Sequence, residues 1–483
     1  MPRRLAGALV ALFAGCAVAA AEDNPWPERT AVDLQFMHDT LAADHPGPAI
    51  DPAFAARLDS ALAEGLAAAR SADSVTAYIY LLMAYANALP DNHLEIWGAR
   101  DNPEWASVPR PPTLYPGFIT AWRNGAYRVR AAADAGEVRD GMAVVSCDGR
   151  TADALAAANI FRFQGRAEQP ADPMRFAPLL FVDQGQPGFV RPERCSFDDA
   201  GRTVTAALRW RETSFREIGQ AYADATFGTP PPFGATRLGD GGLWIALPTF
   251  VAGQIAAEDA AAVQAMLRDG RDAPYVVFDL RGNGGGSSFF ADGFAMALFG
   301  EDYVRTWQRI ESGGRAPDLV RASPGNRAYF AGAGTDDDPG ARAYFEILVA
   351  AIDAALAAGE PVAALGGPTP EAGIDMPPAP YAGQVFLLTD GAAFSSTLLF
   401  IDTVLGYPDA VLVGWPTRAH GLYGELRQVR LPSGWASLAF STKAFMGRGV
   451  EADLAIVPQI PWDGEIGDTP ALQAWIHGLA EGR

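Results

Sequence analysis

The chain has 483 residues, with 57 acidic residues against 37 Lys and Arg, and its formal net charge is −20. An acidic surface of this size disfavours binding to nucleic acid and to anionic membranes, and no basic run offsets it. The sequence shows neither a His, Cys and carboxylate set at metal-ligand spacing nor a nucleotide fingerprint, so no metal or other cofactor is predicted. The length predicts two to four domains.

The first 21 residues are typical of a secretory signal peptide. Two arginines precede a short apolar run, and small residues at 19–21 offer a cleavage site. The run is too short for a membrane anchor, and no later stretch is long and apolar enough to span a bilayer. We therefore expect a periplasmic or secreted protein. A lipoprotein attached at Cys16 is the alternative. Phe13 argues against it, because leucine is expected at that position of a lipoprotein signal.

A helical region is predicted over 22–107. Leu34, Met37 and Leu41 recur at helical spacing, and the pattern breaks at the proline-rich turn 45–48. Several prolines at 109–116 mark its end. Strands dominate the next segment, 108–212, where turns at 140–141 and 148–149 flank a strand and precede a helix. That order resembles the PDZ pattern, so the segment is predicted to be a PDZ-like module.

Cys147 and Cys195 are the two cysteines left after the predicted signal peptide. In an oxidising compartment an even pair is a disulfide candidate. Two buried thiols are the alternative, because the sequence does not determine their geometry.

The remaining segment, 213–483, alternates strands with helices after a proline-rich linker at 228–234, which indicates an α/β layer architecture. Residues 305–340 are polar and rich in Gly, Asp and Pro. We expect them to form a long mobile insertion near a cleft.

A glycine cluster follows the predicted strand 275–278 and precedes a predicted helix at 289–298. Its glycines, among them Gly284 and Gly285, allow N–H groups to approach a ligand closely. Such groups at a helix start bind an anion or a developing oxyanion. The Lys-Ser/Thr pair of a phosphate loop is absent. A purely structural turn remains the alternative.

A second strand–turn–helix junction places Ser395 at the start of a helix, after the predicted strand 384–388. A hydroxyl there lies in the positive end of the helix field, and the N–H of Ser396 is placed to bind a tetrahedral oxyanion. The alternative is that Ser395 only caps the helix.

Four motifs in order resemble the C-terminal-processing (tail-specific) serine peptidases, and most closely their tricorn-core-like branch. They are DLRGNGGG, LLTDGAAFSS, VGWPTRAHGLYGE and LPSGWASLAFSTKAF, and the resemblance covers 239–461. It implies a crotonase-like α/β core with a serine nucleophile and a Gly-rich oxyanion loop. An N-terminal helical region and a PDZ-like module usually accompany that core.

The resemblance makes Ser395 the nucleophile, with the N–H groups of Ser396, Gly284 and Gly285 as oxyanion donors. Leu398 stands where the family often has Glu. In the Ser–Lys branch the base is a lysine about 25 residues after the serine, and here that position holds His420. Lys443 is the only lysine in the chain, so a dyad in the usual place is not expected.

A histidine is the expected general base, since its free pKa lies near neutrality. His93, in ALPDNHLEIWG, resembles the upstream catalytic histidine of the tricorn-like branch and is favoured over His420. Three other histidines are interpreted as structural or solvated, namely His38, His45 and His477. Glu425 and Glu451 are candidates for the third member of a triad.

These features predict an exported serine-type peptidase that cleaves peptide or protein substrates through a Ser395 acyl-enzyme. Two alternatives remain. One is a binding protein on the same fold that has lost hydrolysis, since a fold alone does not determine function. The other is a serine hydrolase of non-peptide acyl substrates, which would use the same residues.

Overall fold

The computed structural model describes residues 24–313, 315–333, 339–366, 374–447 and 454–482. The predicted signal peptide, the lipoprotein candidate Cys16 and Glu451 lie outside these described residues. No helix within the described ranges is both long and apolar enough to cross a bilayer.

The N-terminal region is helical, with a break where the sequence predicts one. Asp51 and Ser74 each accept a backbone N–H and cap the two helices that follow them. A short strand comes after the last helix. The elements are α1 (Trp26–Asp44), α2 (Gly47–Ile50), α3 (Pro52–Ala69), α4 (Val75–Asn87) and β1 (Glu95–Gly98).

A β-rich module follows and contains a two-stranded and a six-stranded sheet. Its elements are β2 (Thr113–Tyr115), β3 (Ile119–Arg123), β4 (Ala126–Arg130), β5 (Ala143–Cys147), β6 (Arg150–Thr151), α5 (Ala152–Ala156), α6 (Ala171–Phe176), β7 (Arg194–Asp199), β8 (Arg202–Ala207), β9 (Arg211–Thr213) and α7 (Phe215–Ala225). Its likeness to a PDZ module stays a prediction.

A disulfide joins Cys147 and Cys195, which face each other in register on the antiparallel strands β5 and β7. Both cysteines are buried in the module's core. The bond crosslinks positions that are 48 residues apart, so it constrains a long loop of the unfolded chain.

We expect the double substitution Cys147→Ala/Cys195→Ala to lower the free energy of unfolding by about 3 to 4 kcal/mol in the loop-entropy model. Guanidinium titration of the variant and of the reduced wild-type protein should agree. Non-reducing peptide mapping of exported protein that recovers both thiols free would contradict the pairing.

The rest of the chain alternates strands with helices. Its first elements are β10 (Gly234–Arg237), β11 (Leu243–Ala246), α8 (Ala257–Asp269), β12 (Tyr275–Asp279), α9 (Ser288–Phe299) and α10 (Glu301–Ser312). The later ones are β13 (Asp318–Arg321), α11 (Pro324–Ala333), α12 (Pro339–Ala358), β14 (Val362–Leu365), β15 (Gln384–Thr389), α13 (Ser396–Leu405), β16 (Ala410–Gly414), β17 (Tyr423–Arg430), β18 (Ala436–Ala444), β19 (Ile460–Pro461) and α14 (Thr469–Glu481). Six of these strands form the core sheet in the order β10-β11-β12-β15-β16-β19, parallel except for the β10–β11 pair.

Helices cover both faces of this sheet, which explains why its inner strands β11, β12 and β15 are mostly apolar and buried. Side chains of α8, α9 and α13 pack with one face in a single core. Leu472 and Ile476 of α14 pack against the other face. The predicted α/β class is confirmed.

A second sheet carries the N-terminal helices and runs in the order β1-β18-β13-β14, with β17 paired to β18. Apolar residues of α1, α3 and α4 form one core with residues of β17 and β18. Because β1 pairs with β18, the segment just before β1 is held against the C-terminal half of the chain.

The expectation of a long mobile insertion at 305–340 is wrong. The segment contains the rest of α10, the strand β13, the helix α11 and the start of α12, while 314 and 334–338 lie outside the described residues. The polar composition of the segment gave no sign of regular structure. Its few apolar residues, such as Phe330, pack into a small separate core.

Candidate functional site

Ser395 occupies a strained turn between β15 and α13. Its φ of 58° and ψ of −126° lie in a region that a residue with a side chain rarely adopts, and such strain is concentrated at functional sites. Its side chain makes no capping hydrogen bond to α13. The alternative that Ser395 serves as a helix cap is therefore wrong.

The glycine loop lies directly beside this serine because β12 and β15 are parallel neighbours. Asp279 at the end of β12 pairs with Leu388 near the end of β15, so both loops emerge at the carboxyl edge of the sheet. A Cβ atom on Gly285 would lie 2.7 Å from the Ser395 Cβ. Only glycine allows this approach at the φ of +104° that Gly285 adopts.

Two buried polar side chains hold the loops together. Asn283 donates to the Leu247 carbonyl oxygen, 2.7 Å away, and its Oδ1 accepts from the Thr397 hydroxyl, also at 2.7 Å. The Asp390 carboxylate accepts from the N–H groups of Gly282 and Ala392, each 2.9 Å away. Burial raises the pKa of Asp390 to about 7.

The predicted oxyanion donors are not equivalent. The Gly285 N–H donates to Asn283 Oδ1, 2.9 Å away, so its assignment as an oxyanion donor is wrong for this state of the site. The N–H groups of Ser396 and Gly284 donate to no other described residue, and both residues line the cavity that contains Ser395. Ser396 is also the first residue of α13, whose field favours negative charge.

That cavity measures about 680 Å³ and brings together the predicted residues from both halves of the chain. His93, His420 and Glu425 line it with Ser395 and the glycine loop. The structure therefore gathers both candidate bases at one site.

His93 is buried and its ring packs against Phe394, the residue before Ser395, with the centroids 4.3 Å apart. Its backbone N–H donates to Asp91 Oδ1 at 2.9 Å, and its Nδ1 lies 3.8 Å from the same oxygen. Asp91 was missed by the sequence analysis. The available signal was its spacing in DNH, two residues before the histidine.

His420 is also buried, and its Nε2 lies 3.6 Å from Asp402 Oδ2. Asp402 is on α13, two turns after Ser395, and the sequence analysis missed it as well. Glu425, proposed as a third triad member, instead accepts a hydrogen bond from the Tyr344 hydroxyl at 2.9 Å. The Lys443 ammonium donates to that hydroxyl at 3.0 Å.

Burial and charge keep His93 neutral. Burial is the main cause that lowers its pKa to about 4, and the guanidinium of Arg418 lowers it further. Asp91 and Glu95 act in the opposite direction. Arg418 is partly buried, with its guanidinium over the Phe394 ring, 3.6 Å from the ring centroid, and desolvation lowers its pKa to about 9. A neutral imidazole is the form that accepts a proton.

If His93 is the base, kcat/KM is expected to fall below pH about 4 rather than below the ordinary histidine value of about 6.5. Replacing Arg418 by Met should move this acid limb to higher pH, because a cation that disfavours the imidazolium is removed. The check is a pH–rate profile with circular dichroism at each pH. An unchanged limb in Arg418→Met would contradict the electrostatic origin.

Comparisons with known proteins identify the domain that carries Ser395. Residues 243–451 match the model of peptidase family S41. The chain carries a peptidase family S41 domain. For this segment the match confirms the family expected from the motifs and the predicted enzyme class, serine-type peptidase, whereas the tricorn-core-like branch stays a prediction. No curated protein matches the chain significantly.

Solved structures of mature CPAF share the fold over almost the whole chain. Mature CPAF is 15% identical, with a TM-score of 0.58 over 94% of this chain and 98% of CPAF. Mature CPAF complexed with lactacystin is 14% identical, with a TM-score of 0.58 over 95% and 99%. The photosystem II D1 C-terminal processing protease is 12% identical over 90% and 93%, with a TM-score of 0.34.

Proposed function

We propose that this protein is an exported serine peptidase that cleaves peptide bonds through an acyl-enzyme on Ser395. The observation that carries the proposal is the strained Ser395 turn, with the N–H groups of Ser396 and Gly284 beside it in one cavity. This arrangement has a nucleophile, two oxyanion donors and a buried neutral histidine within one site.

The proposed reaction begins when Ser395 Oγ attacks the substrate carbonyl carbon and its proton passes to His93. The new C–O bond leaves a tetrahedral oxyanion, which accepts hydrogen bonds from Ser396 and Gly284. Collapse breaks the C–N bond, and His93 returns the proton to the leaving amine. Water then attacks the acyl carbon while it gives a proton to His93. Collapse of the second tetrahedral intermediate breaks the bond from the acyl carbon to Ser395 Oγ and releases the acid, and His93 returns the proton to Ser395 Oγ.

The site supports His93 over His420 as the base. His93 contacts Phe394, the residue before the nucleophile, and has a carboxylate within 3.8 Å of Nδ1. His420 faces Asp402 on the nucleophile's own helix. We assign His420 to the wall that binds substrate. Export is proposed from the signal-like residues 1–21, and the Cys147–Cys195 disulfide supports it.

A fluorophosphonate probe tests the proposed nucleophile. The mature protein should be labelled at one residue, Ser395, as located by peptide mass spectrometry, and Ser395→Ala should not be labelled. Ser396→Ala is the matched control and should retain labelling, since only its backbone N–H is used. A folded protein that resists labelling would favour the non-hydrolytic binding protein.

The substrate class needs a second measurement. Incubation with a denatured protein mixture, followed by sequencing of the new termini, should reveal cleavage that depends on Ser395. Labelling without any peptide cleavage, together with turnover of simple esters, would favour a hydrolase of non-peptide acyl substrates.

A further inference from the structure

Three side chains form a buried polar chain that leads away from the cavity: His93, Asp91 and His45. Asp91 and His93 lie between α4 and β1, whereas His45 lies between α1 and α2. The side chains of His45 and Asp91 have 0% exposure, and that of His93 has 6%. The sequence analysis interpreted His45 as structural or solvated, and its complete burial leaves only the structural interpretation.

His45 is held in one orientation and one tautomer. The Gly47 N–H donates to its Nδ1 at 2.9 Å, so the ring proton must be on Nε2, which lies 3.1 Å from Asp91 Oδ2. The ring stacks on Phe54 and meets Tyr423 edge-on, with centroids 4.6 and 4.7 Å apart. Two aromatic contacts and two hydrogen bonds therefore define where this donor points.

Asp91 uses both carboxylate oxygens. Oδ2 accepts from His45, and Oδ1 accepts the backbone N–H of His93. Burial opposes ionisation of this carboxyl, but the hydrogen bond from His45, with smaller effects from His93, lowers the pKa of Asp91 overall. Asp91 is consequently an oriented anion inside the protein.

The Nδ1 atom of His93 is buried and hydrogen-bonds to no described residue. A buried polar atom without a hydrogen-bond partner is rare in folded proteins and needs a structural or functional explanation. The nearest carboxylate oxygen, Asp91 Oδ1, is 3.8 Å away. Catalytic hydrogen bonds are often this long in unliganded enzymes and shorten during the reaction.

We propose that Asp91 is the positioning residue of His93 and that His45 holds Asp91 in the required orientation. The inference rests on the proposed function of His93 as the base. When His93 takes the Ser395 proton, its ring becomes a cation and draws toward Asp91, which closes the 3.8 Å gap. The proton stays on His93, and Asp91 stays ionised throughout.

A matched pair of variants separates this role from packing. His45→Phe keeps an aromatic ring between Phe54 and Tyr423 but removes the donor to Asp91, whereas His45→Gln keeps a donor. We expect His45→Phe to lower kcat about 10-fold to 100-fold, the usual effect of losing a supporting partner, with KM nearly unchanged. His45→Gln should recover most of the rate. Equal rates for wild type and both variants would overturn the proposal.

Asp91→Asn should lower kcat by about 10²-fold or more, since it removes the anion while keeping the acceptor for the His93 N–H. Adding His45→Phe to Asp91→Asn should then have little further effect, because His45 acts through Asp91. Fully additive losses in the double variant would show that His45 has a merely structural role.

An NMR titration tests the His93, Asp91 and His45 arrangement without an activity measurement. In protein with ¹⁵N-labelled imidazoles, His45 should show the Nε2–H tautomer. Asp91→Asn should lower the pKa of His93, because the removed anion favours the imidazolium. Unchanged His93 shifts in Asp91→Asn would overturn the proposal even if a variant at His45 fails to fold. If Asp91→Asn lowers the pKa of His93 as expected but the wild-type protein is not labelled by the fluorophosphonate, the result would reject only the proposed peptidase function.

Discussion

Replacing Ser395 by alanine is expected to abolish hydrolysis, with a loss of kcat of about 10⁶-fold, the scale at which a serine nucleophile is lost. The physical reason is that no other atom can form the acyl-enzyme while the oxyanion donors remain in place. The measurement is steady-state cleavage of a peptide that the wild-type protein cuts. Ser396→Ala should stay active, so activity lost in Ser396→Ala and kept in Ser395→Ala would shift the nucleophile by one residue.

The folded state should tolerate this change. The Ser395 hydroxyl makes no capping hydrogen bond, so alanine removes no stabilising contact of the helix. Ser395→Gly should be more stable than Ser395→Ala by about 1 kcal/mol, because glycine adopts the positive φ of this turn without strain. Thermal unfolding of the two inactive variants tests this, and equal stability would argue against backbone strain at the nucleophile.

Replacing His93 by glutamine is expected to lower kcat by about 10⁴-fold or more, since the proton of Ser395 then has no acceptor of suitable pKa. The rate of fluorophosphonate labelling should fall as well, because it depends on the same proton transfer. Both rates can be measured on one preparation whose fold is checked by circular dichroism.

His420→Gln is the matched comparison. His420 lines the same cavity but faces Asp402, so its replacement should raise KM more than it lowers kcat. If His420→Gln instead abolishes labelling while His93→Gln is labelled normally, the base is His420. The site would then correspond to a Ser–His pair in the position of the family's Ser–Lys dyad.

Local sequence predicted the two strand–turn–helix junctions of the site. Glycines 284–286 are followed by a serine that starts α9, and a small-residue turn precedes Ser395. Each pattern was ambiguous alone, because a glycine turn and a helix cap are common in proteins of every function. The family resemblance favours Ser395 as the nucleophile, since it relates several distant segments at once.

The sequence pattern could not predict the hydrogen bonds within the glycine loop. The sequence does not distinguish Gly284 from Gly285. In the structure the Gly285 N–H donates to the Asn283 side chain, whereas the Gly284 N–H stays available at the cavity. Which N–H is occupied depends on backbone torsions over a few residues. Those torsions are set by the fit of the loop against β15 and Ser395.

The sequence by itself predicted the α/β class, which the structure confirms, and it singled out Ser395 and the two candidate histidines, because these follow from short-range periodicity and from ordered motifs. Only the tertiary structure decided that β12 lies beside β15, that the pairing of β1 with β18 brings the preceding His93 to the same cavity, and that His45 lies behind Asp91. These partners are distant in sequence, so no local propensity records them. Their meeting is decided by strand pairing and by the burial of apolar faces, which stabilise one arrangement of the whole chain.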